Sequence, residues 1–229
     1  MTSRTPADLL TRLQGPLLLA LWGLAAGFVL WASGVDVAVQ LWLYEGYHQG
    51  FNDAMRVLGD VGKGSTQAAL CVILAVGIGL GNRWRGRPGL YAPRMLLAAI
   101  GVFVLAGGVN WVLKLGIGRA RPKELLWNGG GAFDAAPFTL DALWWSFPSG
   151  HSCSTFAMAV WLGLAFPRWR RPLLGLAVVL SMSRFLAVTP HYLGDVVAGA
   201  AVGAAVAWAL WMIWAPRLGA TPAQGEAQA

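Results

Sequence analysis

Three short clusters of this chain hold residue types that can bind an anion and attack it. Lys114, Arg119 and Arg121 form the first, Ser149, Gly150 and His151 the second, and Arg184, His191 and Asp195 the third. The cations call for an anion, and phosphate fits best, because arginine offers a planar two-pronged donor and lysine a point charge. Ser149 precedes a long apolar run in a favourable N-cap position. The amides of Gly150 and His151 then face outward at a helix N-terminus, which attracts anions, and Gly150 lets an oxyanion approach the backbone closely. His191 and Asp195 are four apart and share one face if helical, with Pro190 suited to the helix start. A carboxylate that accepts one ring N–H fixes the tautomer and frees the other nitrogen as a nucleophile. His151 is then available to protonate a leaving group. A metal site is the competing reading of two histidines and an aspartate. The neighbouring cations oppose it, and further ligands at zinc spacing are missing.

The elements that must position these residues are membrane spans. The chain is 57% hydrophobic and 12% charged, with thirteen tryptophans and a mean hydropathy of +0.57. A soluble domain carries about 25% charged residues. Crossing a bilayer takes roughly 20 apolar residues of helix, and six segments approach this: 16–33, 66–81, 95–113, 151–166, 173–189 and 192–214. The second and fourth are short and are expected to extend into flanking polar residues. These spans predict an all-α, six-helix transmembrane bundle, with residues 1–229 as one domain. The first segment follows Arg4 and Arg12 and reads as a retained anchor; a cleaved signal peptide is the alternative, without a clean cleavage site to support it. Residues 34–65 mix Trp42, Tyr44, Tyr47 and Phe51 with Glu45, Asp53 and Arg56, and fit either a surface amphipathic helix or a lid packed over the bundle. Cys71 and Cys153 fall in apolar runs and read as core residues.

The net charge of +7 and pI near 10.1 are explained by topology. Six spans put both termini on one side, with Arg4, Arg12, Arg83, Arg85, Arg87, Arg94, Arg168, Arg170, Arg171 and Arg217 against only Asp8 and Glu226. The opposite side carries seven cations and eight acids. The positive-inside rule then places both termini in the cytoplasm, and no nucleic-acid partner is needed. The three clusters all fall at the extracytoplasmic face. Taken singly, Lys114 or Arg184 is as well read as a snorkelling residue, and His191 as a packing residue. Their joint placement at one membrane depth points to a functional site.

The spacings are those of a known family. KLGIGRARP at 114–122 fits K-x6-R-P, PSGH occupies 148–151, and SRFLAVTPHYLGD at 183–195 fits S-R-x5-H-x3-D. In this order they resemble the signature of the type-2 phosphatidic acid phosphatase superfamily, which includes membrane lipid phosphatases, soluble acid phosphatases and vanadium haloperoxidases. The resemblance implies that His191 attacks phosphorus to form a phosphohistidine, that Asp195 orients it, and that His151 serves as acid and then as base for water. It implies that Lys114, Arg121 and Arg184 hold the phosphoryl oxygens, with Ser149 and Gly150 completing the cradle and Ser183 aiding the phosphate or the local turn. No metal or cofactor is implied. Arg119 falls between motif positions and receives no role. In the 123–147 loop, Trp144 and Trp145 suit interfacial anchors or a headgroup pocket.

A membrane-embedded site favours a substrate whose tail stays in the bilayer. The expected activity is hydrolysis of a lipid phosphate or pyrophosphate, with isoprenyl pyrophosphate, phosphatidylglycerol phosphate, phosphatidic acid and lipid A phosphate as candidates, in a bacterial inner membrane. A lipid phosphotransferase using the same phosphohistidine is the alternative. A non-catalytic anion transporter fits the intact motifs less well. Gly199 and Gly203, four apart in the last span, permit close helix packing within the chain, or in a homodimer.

Overall fold

The computed structural model describes residues 6–86 and 89–219, with side chains from residue 11 onward. Arg4, Arg87 and Glu226, which enter the charge balance across the membrane, lie outside the described residues. Among the described residues, nine α-helices follow in chain order: α1 (Pro6–Ala32), α2 (Val35–Glu45), α3 (Gln49–Val61), α4 (Gly64–Trp84), α5 (Tyr91–Ile117), α6 (Pro122–Trp127), α7 (Gly150–Ala165), α8 (Arg170–Leu186) and α9 (Leu193–Trp214). No strand occurs among the described residues; one isolated bridge joins Arg119 to Ala135.

Among the described residues, four stretches are long and apolar enough to cross a membrane: Thr11–Ala32, Gly64–Trp84, Tyr91–Ile117 and Leu193–Leu218. The second of these extends past 66–81 at both ends, as its short apolar run requires. The two other expected spans correspond to α7 and α8, of 16 and 17 residues. At about 1.5 Å per residue they reach only some 24–26 Å, short of a core of about 30 Å. α7 stays short because its ends are fixed chemically. Ser149 caps the start, accepting from the Ser152 amide, and Pro167 opens a 3-10 turn just past the end.

The helices bury small residues and turn large ones outward. The core runs along α5, α7 and α9 through Met95, Ala99, Val102, Ala106, Cys153, Ala157, Trp161 and Val202. Trp161 donates its indole N–H to the Met95 carbonyl (2.9 Å) and meets Trp211 and Trp214 edge to face. Leu17, Trp22, Ile73, Val76, Val104 and Val112 face outward instead. That inversion suits a lipid surround, where small residues let helices approach closely. A Cβ on Gly203 would lie 2.0 Å from the Cys153 carbonyl oxygen, and one on Gly199 2.3 Å from that of Ser149. Both glycines therefore serve the α7–α9 contact within the chain. Cys71 and Cys153 are buried free thiols.

Residues 34–65 form α2 and α3 rather than one surface helix. Asp36 and Gln40 of α2 are fully buried. α3 lies against α8, with Gly59 packed on Arg184 and Gly62 on Leu180. The packed lid thus describes this segment better than a helix lying free on the surface, although Trp42, Phe51 and Val57 remain exposed.

Candidate active site

The fold brings the ends of four helices and two loops together at one end of the bundle. Lys114 sits in the last turn of α5, which stops at Gly118 in the left-handed region (φ 62°). Ser149, Gly150 and His151 open α7, and Ser183 and Arg184 close α8. His191 precedes α9, and Asp195 lies in its first turn. The Ser149 amide donates to the Asp195 carbonyl (2.8 Å), which ties the second cluster to the third. A Cβ on Gly150 would lie 3.7 Å from Lys114 Cε, so the first cluster adjoins the second.

His191 and Asp195 do not share a helical face. α9 begins at Leu193 because the Asp195 carboxylate accepts the Tyr192 amide (2.9 Å) and fixes the helix start two residues after His191. The two side chains still lie side by side, with His191 Nδ1 3.4 Å from Asp195 Oδ2, although Nδ1 makes no hydrogen bond among the described residues. His191 is 3% exposed. Burial drives its imidazole well below the ordinary value, to about 3, against the opposing pull of Asp195; the buried ring is neutral, as a nucleophile must be.

Asp195 is held from every other side. Arg119 Nη1 donates to Oδ1 (2.7 Å), and the Ser146 hydroxyl donates to Oδ2 (2.5 Å). Arg119 also bonds Asp36 Oδ2 (2.8 Å), and Asp36 Oδ1 accepts the Gly194 amide (2.8 Å). The guanidinium carbon lies 4.0 Å from the Tyr192 ring centroid and 4.7 Å from that of Trp31. Burial raises the Asp36 pKa, opposed chiefly by Arg119.

The phosphate-directed residues differ in how free they are. Lys114 Nζ donates to the Trp145 and Ser146 carbonyls (2.6 and 3.4 Å) and keeps one donor. Trp145 contributes its backbone carbonyl to this site, while its indole N–H donates to the Thr139 carbonyl (3.0 Å). Ser149 Oγ accepts from Ser152 and keeps its own hydrogen to donate. Ser183 donates back to the Leu180 carbonyl (2.7 Å), the geometry of the local-turn alternative. Among the described residues, His151 Nε2 and the Nε atoms of Arg121 and Arg184 are buried without a hydrogen-bond partner. Burial lowers the Arg121 pKa, with Asp195 opposing.

Arg121, Arg184 and Pro190 line a cavity of about 530 Å³, with Arg56, Asp60, Lys63 and Lys123 at its outer part. Cations outnumber carboxylates there, and Asp60 is already paired with Lys63 (2.9 Å). Arg56 donates to Thr189 (2.9 Å), in the loop that carries His191. The same loop contains Val188 at φ 65°, a strained position for a β-branched residue; the Gln40 side chain donates to its carbonyl. Among the described residues, no three His, Cys, Asp or Glu side chains stand close enough to share a metal ion.

Sequence reasoning placed Arg119 in the first cluster without a role, and missed Asp36, Ser146, Gln40 and Arg56 as parts of this site. One signal was present: Arg56 and Asp60 are four apart, on one face of α3. Nothing in the sequence marks Asp36 as the partner of a residue 83 positions away.

The family model of the PAP2 superfamily matches residues 95–218, more than half of the chain. The lipid A 1-phosphatase of Rhizobium johnstonii is 42% identical over 101 residues, 44% of this chain and 40% of that protein. The lipid A 1-phosphatase of Rhizobium etli is 41% identical over 100 residues, 44% of this chain and 42% of that protein. The chain thus aligns with about two fifths of the length of these curated relatives. The fold resembles the crystal structure of a transmembrane PAP2-type phosphatidylglycerolphosphate phosphatase from Bacillus subtilis, with a TM-score of 0.62, 23% identity and coverage of 88% of this chain and 96% of that one.

Proposed function

Because the chain belongs to the PAP2 superfamily, we propose that it is a membrane-embedded hydrolase of lipid phosphates that works through a phosphohistidine on His191. The observation that carries this reading is the buried His191 beside a fully held Asp195, next to a cation-rich cavity. His191 Nε2 attacks phosphorus while Asp195 compensates the positive charge developing on the ring. Lys114, Arg121 and Arg184 neutralise the phosphoryl oxygens, and the amides at the start of α7, with Ser149 and Gly150, complete the cradle. The P–O bond to the lipid breaks as His151 gives its proton to the departing oxygen. Water then attacks the phosphohistidine, His151 takes the water proton, and inorganic phosphate leaves. The reading needs no metal.

Finer assignments extend the proposal. α7 and α8 complete a six-span bundle with both termini cytoplasmic and the cavity at the extracytoplasmic side of a bacterial inner membrane. Among lipid phosphates, a lipid A phosphate ranks first, because the two curated relatives are named as lipid A 1-phosphatases. The test is phosphate release by the purified full chain in detergent from lipid A, phosphatidylglycerol phosphate, phosphatidic acid and isoprenyl pyrophosphate, without acceptor lipid. Release from at least one lipid is expected, together with an acid-labile phosphoenzyme that His191→Ala abolishes. Full release by His191→Ala would refute the covalent route, and release only on adding an acceptor would indicate a phosphotransferase.

A further inference from the structure

We propose that Arg119 and Asp36 are positioning residues that hold the Asp195 carboxylate against His191, a role that rests on the phosphohistidine reading above. The geometry sets the argument. A carboxylate with free oxygens rotates about its bond to Cβ. Asp195 Oδ2 accepts from the Tyr192 amide and the Ser146 hydroxyl and faces His191 Nδ1. Oδ1 has one partner among the described residues, Arg119. Arg119 therefore decides whether the group can swing.

Arg119 itself has little freedom. It is 1% exposed, and its guanidinium lies between the rings of Trp31 and Tyr192. A planar cation between two aromatic faces keeps its plane, which an ammonium would not. Asp36 completes the clamp: one oxygen takes Arg119 and the other takes the Gly194 amide in the first turn of α9, the helix that carries Asp195. A Cβ on Gly194 would lie 2.6 Å from Asp36 Oδ2, so the contact needs glycine there. The unit joins α1, α2, the loop after α5 and α9.

Its charge also matters. One guanidinium faces two carboxylates, so the Asp36–Arg119–Asp195 unit by itself sets an excess of negative charge behind His191, opposite the cations Lys114 and Arg121. That charge opposes nothing while the imidazole is neutral and attracts it once phosphorus is bound and the ring becomes cationic. Asp36 is what makes the excess; with Asp195 alone, Arg119 would cancel it. Trp31 and Asp36 precede the stretch matched by the family model, so the first two helices supply part of the nucleophile's support.

The test uses the full chain in detergent, with Asp36→Asn, which keeps the acceptor for Gly194, and Arg119→Gln. Three quantities are measured: melting temperature, orthovanadate affinity as a probe of the phosphate cradle, and the rate of phosphohistidine formation in single turnovers. Folded Arg119→Gln is expected to bind orthovanadate as the parent does and to form phosphoenzyme about 10²-fold more slowly, the cost of misplacing a reacting group by about 1 Å. Asp36→Asn is expected to slow the same step about tenfold, and the double variant to be little worse than Arg119→Gln alone, as for residues in one network. If Arg119→Gln does not fold, Asp36→Asn carries the test. Parental phosphoenzyme formation in a folded variant overturns the proposal, as does loss of orthovanadate binding, which would make the pair part of the cradle. If the parent itself forms no phosphoenzyme, the phosphohistidine reading has failed instead, and that result is separate.

Discussion

Gly199→Ala tests how closely catalysis depends on helix packing. The added Cβ would lie 2.3 Å from the Ser149 carbonyl oxygen and 3.1 Å from both its carbonyl carbon and its amide nitrogen, where ordinary contact begins near 3.4 Å. The obstacle is backbone, so no rotamer change relieves it, and Ser149 must withdraw by about 1 Å. The Ser149 amide bond to the Asp195 carbonyl, now 2.8 Å, would then stretch past hydrogen-bond range. Overpacking of this kind costs about 1–3 kcal/mol of stability. The larger consequence is for rate, because the start of α7 moves away from His191. A displacement of about 1 Å lowers turnover by about 10²-fold, close to 2.7 kcal/mol of barrier. The assay is phosphate release at saturating lipid, with a parallel thermal melt in the same detergent. Gly107→Ala is the control, since a Cβ there meets nothing within 4 Å, and it should match the parent. Parental turnover and melting temperature in Gly199→Ala would refute the claim that the α7–α9 contact sets the cradle.

The buried His191 predicts a pH dependence of stability. Its imidazole stays neutral down to about 3 in the folded protein, whereas the unfolded chain takes up that proton near 6.5. Only the unfolded state gains a proton in between, so this part of the stability is complete above about pH 6.5 and declines as pH falls towards 3. Melting temperatures from pH 7 to 4.5 should drop, and His191→Asn should flatten the decline; an identical slope in both proteins would contradict the assignment. Arg56→Ala removes a rim cation from the cavity and its bond to Thr189. It should raise KM for a lipid phosphate about two- to fivefold, the scale of a partly solvated charge contact, and leave kcat within twofold; a fall in kcat with unchanged KM would place Arg56 nearer the chemistry.

The parts of the site that were legible in the sequence are those encoded locally. Ser149 announced the start of α7 because an N-cap needs only the next turn. The long apolar runs announced α1, α5 and α9, and the shorter run 66–81 announced α4 together with its extension into flanking residues. The His191–Asp195 contact was foreseen from their spacing, but the helical face was the wrong reason. Asp195 spends its carboxylate on the Tyr192 amide, so the helix begins after His191. The unforeseen residues are held by contacts that spacing cannot encode. Arg119 draws its partners from positions 31, 36, 192 and 195, and Gln40 reaches Val188. The short fourth run was expected to lengthen into flanking residues, but hydropathy does not register how the Ser149 cap and Pro167 hold α7 at 16 residues.

α3 meets the cavity through Arg56 and Asp60, with Lys63 just beyond it, while the motif residues all lie between 114 and 195. The two regions are joined at Arg56–Thr189 and where Gly59 packs on Arg184. Divergence can therefore act on them unequally. A change among the buried charges around Asp195 disturbs several helices together. A change at an outer position of α3 alters the cavity mouth and leaves that cluster as it was. The cavity mouth is thus freest to vary in the helix after α2, well before the motif residues.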